Sequence, residues 1–494
     1  MLLLSYLTRP RRLWQTLLPI NLRQPKVMLL YSGLHSAPSP QATVPHPTSN
    51  SSSKEPLVVP VPETREGRTL VLCFDGTGAQ FDEDNSNIVR LFQMLHKGEP
   101  LKQKVRKLTY LAGAKSQFGF TRFTTKLVGL LPSHNYEQIK FAYRHFKQDD
   151  VKGRKQSEEF MKAFSIKVKV DFVGVFDTVG SVGFVHRELP FTRSNSLIRV
   201  FRHALALDER RANFDANLWS RSAKSRGKHY GWIAWMKSLV WRDNNANHGQ
   251  AEECDGPDKD DQWYGHDFGR PVNTNIKGIR YLIPCPSTLV DYVYLIEVWF
   301  AGAHGDVGGG AVLNRTPNDL ARIPLRWMVL ECFRNDTGIL FKSAELKKIG
   351  LNPATLINFP AVPEPKLIGL NEDGSPHYGG GDACKSADVL SRITEDKKDA
   401  IQPTHDRLDI SWQNRNIMWW ILELLPIKQW YQNNDGNWES RWRWMNLGRP
   451  RTIYRQEFSK PHVHWSVEYR KRQPEKKYKP LAGLLDRPGP EWVD

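Results

Sequence analysis

Three near-continuous apolar runs of strand length, each delivering a polar or ionisable residue into a turn, constrain this chain more than any other feature. Thr69–Phe74 (TLVLCF) leads into Asp75-Gly76-Thr77-Gly78 and Val168–Phe176 (VKVDFVGVF) into Asp177-Thr178-Val179-Gly180. Tyr294–Gly302 (YLIEVWFAG) leads into Ala303-His304-Gly305-Asp306-Val307 and a run of glycines. A strand apolar along its whole length is buried on both faces, as in a parallel sheet covered by helices. After the first run, Asn85 or Ser86 can cap a helix in which Ile88, Leu91, Phe92 and Leu95 recur at i, i+3, i+4, i+7. Strand, Gly turn and amphipathic helix make the opening half of a βαβ unit. A second helix follows Thr316-Pro317, carrying Leu320, Ile323, Leu325, Trp327 and Met328. The expected fold is α/β, a mostly parallel sheet with helices on both faces, and ligands bind such a sheet at the C-terminal edge of its strands.

Asp177 and His304 stand at that edge, at the ends of what the pattern makes neighbouring strands. A carboxylate and an imidazole so placed suit the orienting acid and the base of a hydrolytic triad. Asp177 could equally be a helix cap or turn residue, whereas His304 followed by Asp306 and three glycines is more specific, because glycines let the backbone approach a ligand closely. Asp75 either stabilises a tight turn or marks a site where the N–H groups of Gly76 and Thr77 line an oxyanion hole. The stretch Asp82–Asn87 (DEDNSN) fails as a calcium loop, since the sixth position is Asn87 rather than Gly and the twelfth is Gln93 rather than Glu. No metal set and no cofactor are expected.

Composition decides little about fold but something about partners. With 494 residues, 40% hydrophobic and 25% charged, the chain is an ordinary globular protein rather than a disordered or collagen-like one. Seventy Lys and Arg against 53 Asp and Glu give +17, a surplus that favours anionic surfaces. Nucleic acid is disfavoured as a partner, because no reader motif is present and the charge is spread along the chain. Five Cys without a C-x-x-C fit reduced thiols in an intracellular, cytoplasmic protein. No acidic residue precedes Glu55, so the start also resembles a mitochondrial transit peptide, although Pro10, Pro19 and Pro25 would interrupt its helix. Residues 1–66 read as this leader plus a Ser/Pro/Thr-rich linker, 67–400 as the α/β domain with a polar insertion near 220–275, and 401–494 as a Trp- and Arg-rich extension packed on the core. No run reaches 18 apolar residues. Ile417–Ile427 (IMWWILELLPI) is expected to dock on the core as a short helix ending at Pro426, with an interfacial membrane setting as the alternative.

Several long motifs, in order, resemble a known family. LVLCFDGTG with NSNIVRLF, AFSIKVKVDFVGVFDTVGSVGF, FTRSNSLIRVFRHALALDERRANFDANLW, EVWFAGAHGDVGGG and LARIPLRWMVLEC are similar to the α/β-hydrolase-like domain of uncharacterised fungal proteins. The same domain is the catalytic part of bacterial type VI secretion phospholipase effectors. The resemblance covers roughly residues 68–335 and, more weakly, WWILELLP, Asn446-Leu447-Gly448-Arg449 and His464-Trp465-Ser466-Val467. It implies an ester or phospholipid hydrolase with a Ser–Asp–His triad, Asp177 as acid and His304 as base. The nucleophile should lie in a G-F-S-R-G elbow between the DGTG turn and the VFDTV strand. No intact G-x-S-x-G occurs. Its nearest counterpart is Gly119-Phe120-Thr121-Arg122-Phe123, where Thr121 replaces Ser, Phe123 crowds the turn and no apolar strand precedes. The elbow strand and much of its helix are therefore expected to be missing, leaving a gap in the sheet or re-paired neighbours. Two readings stay open: an inactive lipase-like serine hydrolase, or a pseudoenzyme that binds anionic lipid or a protein partner through its basic, Trp-rich C-terminal part.

Overall fold

The computed structural model describes residues 26–32, 56–62, 69–77, 83–98, 102–110, 136–138, 140–141, 151–165, 170–179, 198–219, 280–281, 293–357, 366–379, 387–409, 417–432, 438–454, 460–475, 477–483 and 489–494. Thr121 and the insertion near 220–275 lie outside them. Among the described residues the main sheet has nine strands: β1 (Lys26–Ser32), β2 (Thr69–Thr77), β3 (Gln103–Tyr110), β4 (Val170–Phe176), β5 (Ile198–Ala206), β6 (Arg280–Tyr281), β7 (Val293–Phe300), β8 (His462–His464) and β9 (Glu491–Val493). Their order is β9-β8-β7-β5-β4-β1-β2-β3, with β6 antiparallel on β7. Pairs β9·β8, β8·β7, β7·β5, β5·β4 and β2·β3 are parallel. The protein is α/β, with a mostly parallel sheet and helices.

Alternation along the central strands explains the double burial. Phe172, Phe176, Val200, Ala204, Val298 and Phe300 point to one face and Val173, Val175, Phe201, Leu205, Leu295 and Trp299 to the other. On the first face lie α1 (Asn87–Met94) and α4 (Arg322–Arg334), through Ile88, Leu91, Trp327, Met328 and Val329. On the second, C-terminal residues Ile453, Val463, Val467 and Ala482 pack on Leu205 and Trp299, so the tail belongs to the core. The other helices used below are α2 (Val151–Phe164), α3 (His304–Gly308), α5 (Ala387–Ala400), α6 (Ile417–Glu423) and α7 (Ser466–Arg472).

Two elements differ from the sequence reading. The DGTG turn begins later, because β2 runs on through Asp75 and Gly76 to Thr77, with a break in register between Phe74 and Thr77. More consequential is β1. Residues read as leader form a strand inside the sheet, antiparallel to β2 (Val27↔Phe74) and to β4 (Val27↔Val175). The run VMLLY is apolar enough for a strand with neighbours on both sides, but it lies in a Pro- and Arg-containing stretch that hides it. The sheet therefore has no gap between β2 and β4. No helix among the described residues is long and apolar enough to cross a membrane.

Candidate active site

Asp177 leaves β4 with a left-handed backbone, φ 42°, a conformation that non-glycine residues adopt only where the surroundings hold it. Its amide donates to Ala204 O at 2.7 Å, and the Ala206 amide donates back to Oδ1 at 2.9 Å, so β5 fixes both ends of the residue. His304 follows β7 as the first residue of α3. β4 and β7 are not the neighbours that the sequence pattern suggested: β5 lies between them. The two side chains nevertheless meet, because the chain turns back at Gly302 (φ 108°), where a Cβ would lie 2.4 Å from Asp306 Cβ. His304 Nδ1 and Asp177 Oδ2 are 2.7 Å apart.

Electrostatics assign the proton. Burial alone would raise the Asp177 pKa, but the Arg451 charge and hydrogen bonds from His304 and Arg451 hold it well below the ordinary carboxylate range. An ionised carboxylate can only accept, so Nδ1–H of His304 donates. Burial holds the imidazole pKa below its usual value despite Asp177, which keeps His304 neutral with a lone pair on Nε2. That Nε2 is buried and meets no hydrogen-bond partner among the described residues. Phe214 packs its ring against the imidazole, centroids 5.0 Å apart.

Sequence reasoning missed the residues that brace this pair. Arg451 Nη1 donates to Asp177 Oδ1 at 2.6 Å and Nη2 to Oδ2 at 3.0 Å, a two-pronged clamp. Its remaining donors reach Ala206 O and Phe214 O. Arg451 stands in a basic, Trp-rich stretch 274 residues from Asp177, and only the fold reveals the pairing. Glu209 accepts from the His304 amide at 3.2 Å and grips Arg211. Burial pushes its pKa up, yet the Arg211 charge and hydrogen bonds bring it down to about 2. Asp208 accepts from the Gly302 amide at 2.6 Å and from Tyr478 at 2.8 Å.

The DGTG and AHGDVGGG motifs also meet. Asp75 is buried and accepts the Ser86 hydroxyl at 2.8 Å, while Ser86 Oγ accepts from the Val89 amide at 3.1 Å and so caps α1. Asn87 Nδ2 donates to Val307 O and Ala321 O, and at Gly309 (φ 77°) a Cβ would lie 2.5 Å from Asn87 N. Asp306 caps α3 at the Ala303 amide and accepts from His405 Nδ1 at 2.7 Å. Gly76 and Thr77 are strand residues at the same sheet edge as Asp177. The buried group Asp396, His464 and Asp494 could in principle hold a metal, but Arg326 pairs with Asp396, and Arg392 and Arg334 with Asp494, so the site's charge is already balanced.

Residues 68–126 and 122–331 match the family described as the type VI secretion system phospholipase effector Tle1-like catalytic domain, and span more than half of the chain. The chain belongs to this family. It is also 24% identical, over 561 aligned residues, to the uncharacterized protein YEL023C of Saccharomyces cerevisiae, covering 85% of this chain and 81% of that protein. No solved structure matches it. Within the Tle1-like region, Asp177 and His304 fall in the second matched segment, and the two segments overlap at residues 122–126, beside Gly119-Phe120-Thr121.

Proposed function

We propose that this Tle1-like chain is a lipid- or ester-directed member of the α/β-hydrolase fold whose acid–base pair is assembled while its nucleophile segment is lost, so that it hydrolyses esters little or not at all. The observation that carries this reading is the state of His304. Its Nδ1 is engaged by a clamped carboxylate, as a triad base requires, yet its buried Nε2 faces no hydroxyl among the described residues. Two further observations support it. The family match breaks where the G-F-S-R-G elbow is missing from the sequence. The place between β2 and β4 is taken by β1, which runs antiparallel and comes from far upstream. A nucleophile elbow needs a strand that runs into a tight turn at the sheet's C-terminal edge; β1 runs the other way. The amides of Gly76 and Thr77 are the proposed oxyanion donors, and Asp177 the proposed acid to the base His304.

Turnover of p-nitrophenyl butyrate by the purified full chain tests this. The expected rate equals that of His304→Ala within error, because a triad without its nucleophile keeps only residual catalysis. Turnover that disappears in both His304→Ala and Thr121→Ala would make Thr121 a working nucleophile and overturn the reading.

A further inference from the structure

We propose that α6 and the hairpin after it form a docking surface for an anionic phospholipid bilayer, with an adjoining basic cavity that receives the lipid phosphate. The proposal deepens the lipid-directed reading above and rests on it for the choice of lipid, but not on any catalytic step.

The first observation is apolar. In α6, Trp419 and Leu422 pack on Val179, Phe214 and Leu408, while Ile421, and Leu424 and Leu425 just past the helix, stand exposed. The hairpin strands Ile427–Gln432 and Trp438–Arg443 place Trp442 opposite Lys428. Trp442 and Trp444 are 63% and 67% exposed, and Met445 and Leu447 are more than half exposed. These groups form one surface, because the Asn446 amide donates to Glu423 O at 2.8 Å and the Glu423 carboxylate accepts from Asn446 Nδ2 and the Gly448 amide. Seven of the fourteen large apolar side chains exposed among the described residues lie between 421 and 447. Scattered exposure is ordinary, whereas concentration of this kind marks a contact surface.

Charge is the second observation. A small cavity, open to solvent, lies against the hairpin and is lined by Arg210, Lys428, Arg443, Arg449, Arg451 and Asp215, among others. Arg451 is committed to Asp177 and Arg210 to Asp406. Arg443 donates only to the neutral Asn446 side chain, and Arg449 has no ion pair among the described residues. Burial and the neighbouring Arg441 charge press the Arg443 pKa down, while Asp215 acts against them, so the lining carries more cations than anions. A polyanion such as RNA would use the cations but has no need of exposed Leu and paired Trp. A bilayer uses both, with Trp at the headgroup level, Leu below it and Arg on the phosphates.

The test is co-sedimentation of the full chain with phosphatidylcholine vesicles, with and without phosphatidylglycerol. Binding is expected with phosphatidylglycerol, weaker with phosphatidylcholine alone, and falling as salt rises. Trp442→Ala with Trp444→Ala should weaken it by about tenfold or more, as two large apolar groups leave the interface. Arg443→Gln with Arg449→Gln should abolish the preference for phosphatidylglycerol while leaving residual binding. All four positions are at the surface or cavity rim, and thermal melts matching the unsubstituted chain check that the variants fold. The proposal fails if no vesicle is bound, or if folded variants bind as the original does. It fails equally if RNA displaces the vesicles and the Trp substitutions change nothing. Ester turnover is read separately: turnover would sink the nucleophile-free reading and leave docking standing, whereas absence of vesicle binding would do the reverse.

Discussion

Replacing Arg451 by Met removes the clamp while preserving most of the side chain's length. Asp177 is completely buried and Arg451 nearly so. The guanidinium makes two bonds to the carboxylate, at 2.6 and 3.0 Å, and three to the carbonyls of Ala206 and Phe214. Without it, Asp177 keeps only the Ala206 amide and a neutral imidazole. Deleting one partner of a buried ion pair leaves an uncompensated charge and costs about 3–5 kcal/mol, a large share of the ~5–15 kcal/mol that holds a domain together. The sign with pH follows from the depressed folded-state pKa of Asp177. Stability from a lowered carboxylate pKa is fully present above the unfolded value, about 3.9, and is lost as pH falls through the folded value. In Arg451→Met only the Ala206 amide and His304 still offset burial, so the carboxyl takes up a proton more readily. Guanidinium unfolding curves should therefore show the full deficit near pH 7 and a shrinking one below about pH 4. Asp177→Asn combined with Arg451→Met should recover about 1 kcal/mol or more relative to additivity. A deficit under about 1 kcal/mol at pH 7, or one that does not vary with pH, would refute the clamp.

Other changes test the joints around the site. Gly309→Ala puts a Cβ 2.5 Å from Asn87 N at a left-handed position, and thermal unfolding should register a loss of about 1–3 kcal/mol. Hydrogen bonding to Asp306 raises the His405 pKa, so its contribution is complete below the unfolded pKa and fades as pH rises through the folded one. His405→Gln should thus destabilise more at acid than at alkaline pH, read by paired denaturation curves. Deleting residues 1–33 bares the inner edges of β2 and β4, and amide exchange across Leu70–Phe74 and Phe172–Phe176 should rise strongly; unchanged protection would mean that β1 does not hold the sheet.

Apolar runs made β2, β4 and β7 legible, because strands buried on both faces announce themselves by continuity. β5 was not read as a strand, since Arg202 and His203 interrupt IRVFRHALA. Both are fully buried, Arg202 against Glu331 and Asn335, and His203 against Thr178 and Glu297, so partners from distant segments make them tolerable. β3 was missed for the opposite reason: QKVRKLTY at the sheet edge is mostly polar. Asp177 and His304 were legible from their glycine-rich turns. Arg451, Glu209 and Asp208 were not, because a brace has no local pattern: its partners are chosen by the fold. Glu423 shows the same limit. It reads as a charge spoiling an apolar helix, yet it is buried and holds Ala212, Asn446 and Gly448 together.

The location of these braces shows what holds Asp177 and His304 together. Asp177 is held by Ala204 and Ala206 of β5 and by Arg451. His304 is held by Asp177, Glu209 and Phe214. Every one of these contacts lies on the β5–β7 side of β4 or in the C-terminal part. Selection on stability alone would maintain Arg451, Asp177 and the left-handed turn that carries it, since exposing or unpairing that carboxylate costs more than a domain can readily lose. His304 is different. Its Nδ1 bonds Asp177 and its ring packs on Phe214, but a buried Nε2 with no partner among the described residues costs stability, and that nitrogen is the part of the site that packing does not account for. Replacing His304 by Phe would remove that acceptor but also the Nδ1–H donor to the buried Asp177 carboxylate; the Asp177 bond accounts for one ring nitrogen, and a ligand hydroxyl placed at Nε2 is the chemistry that would engage the other.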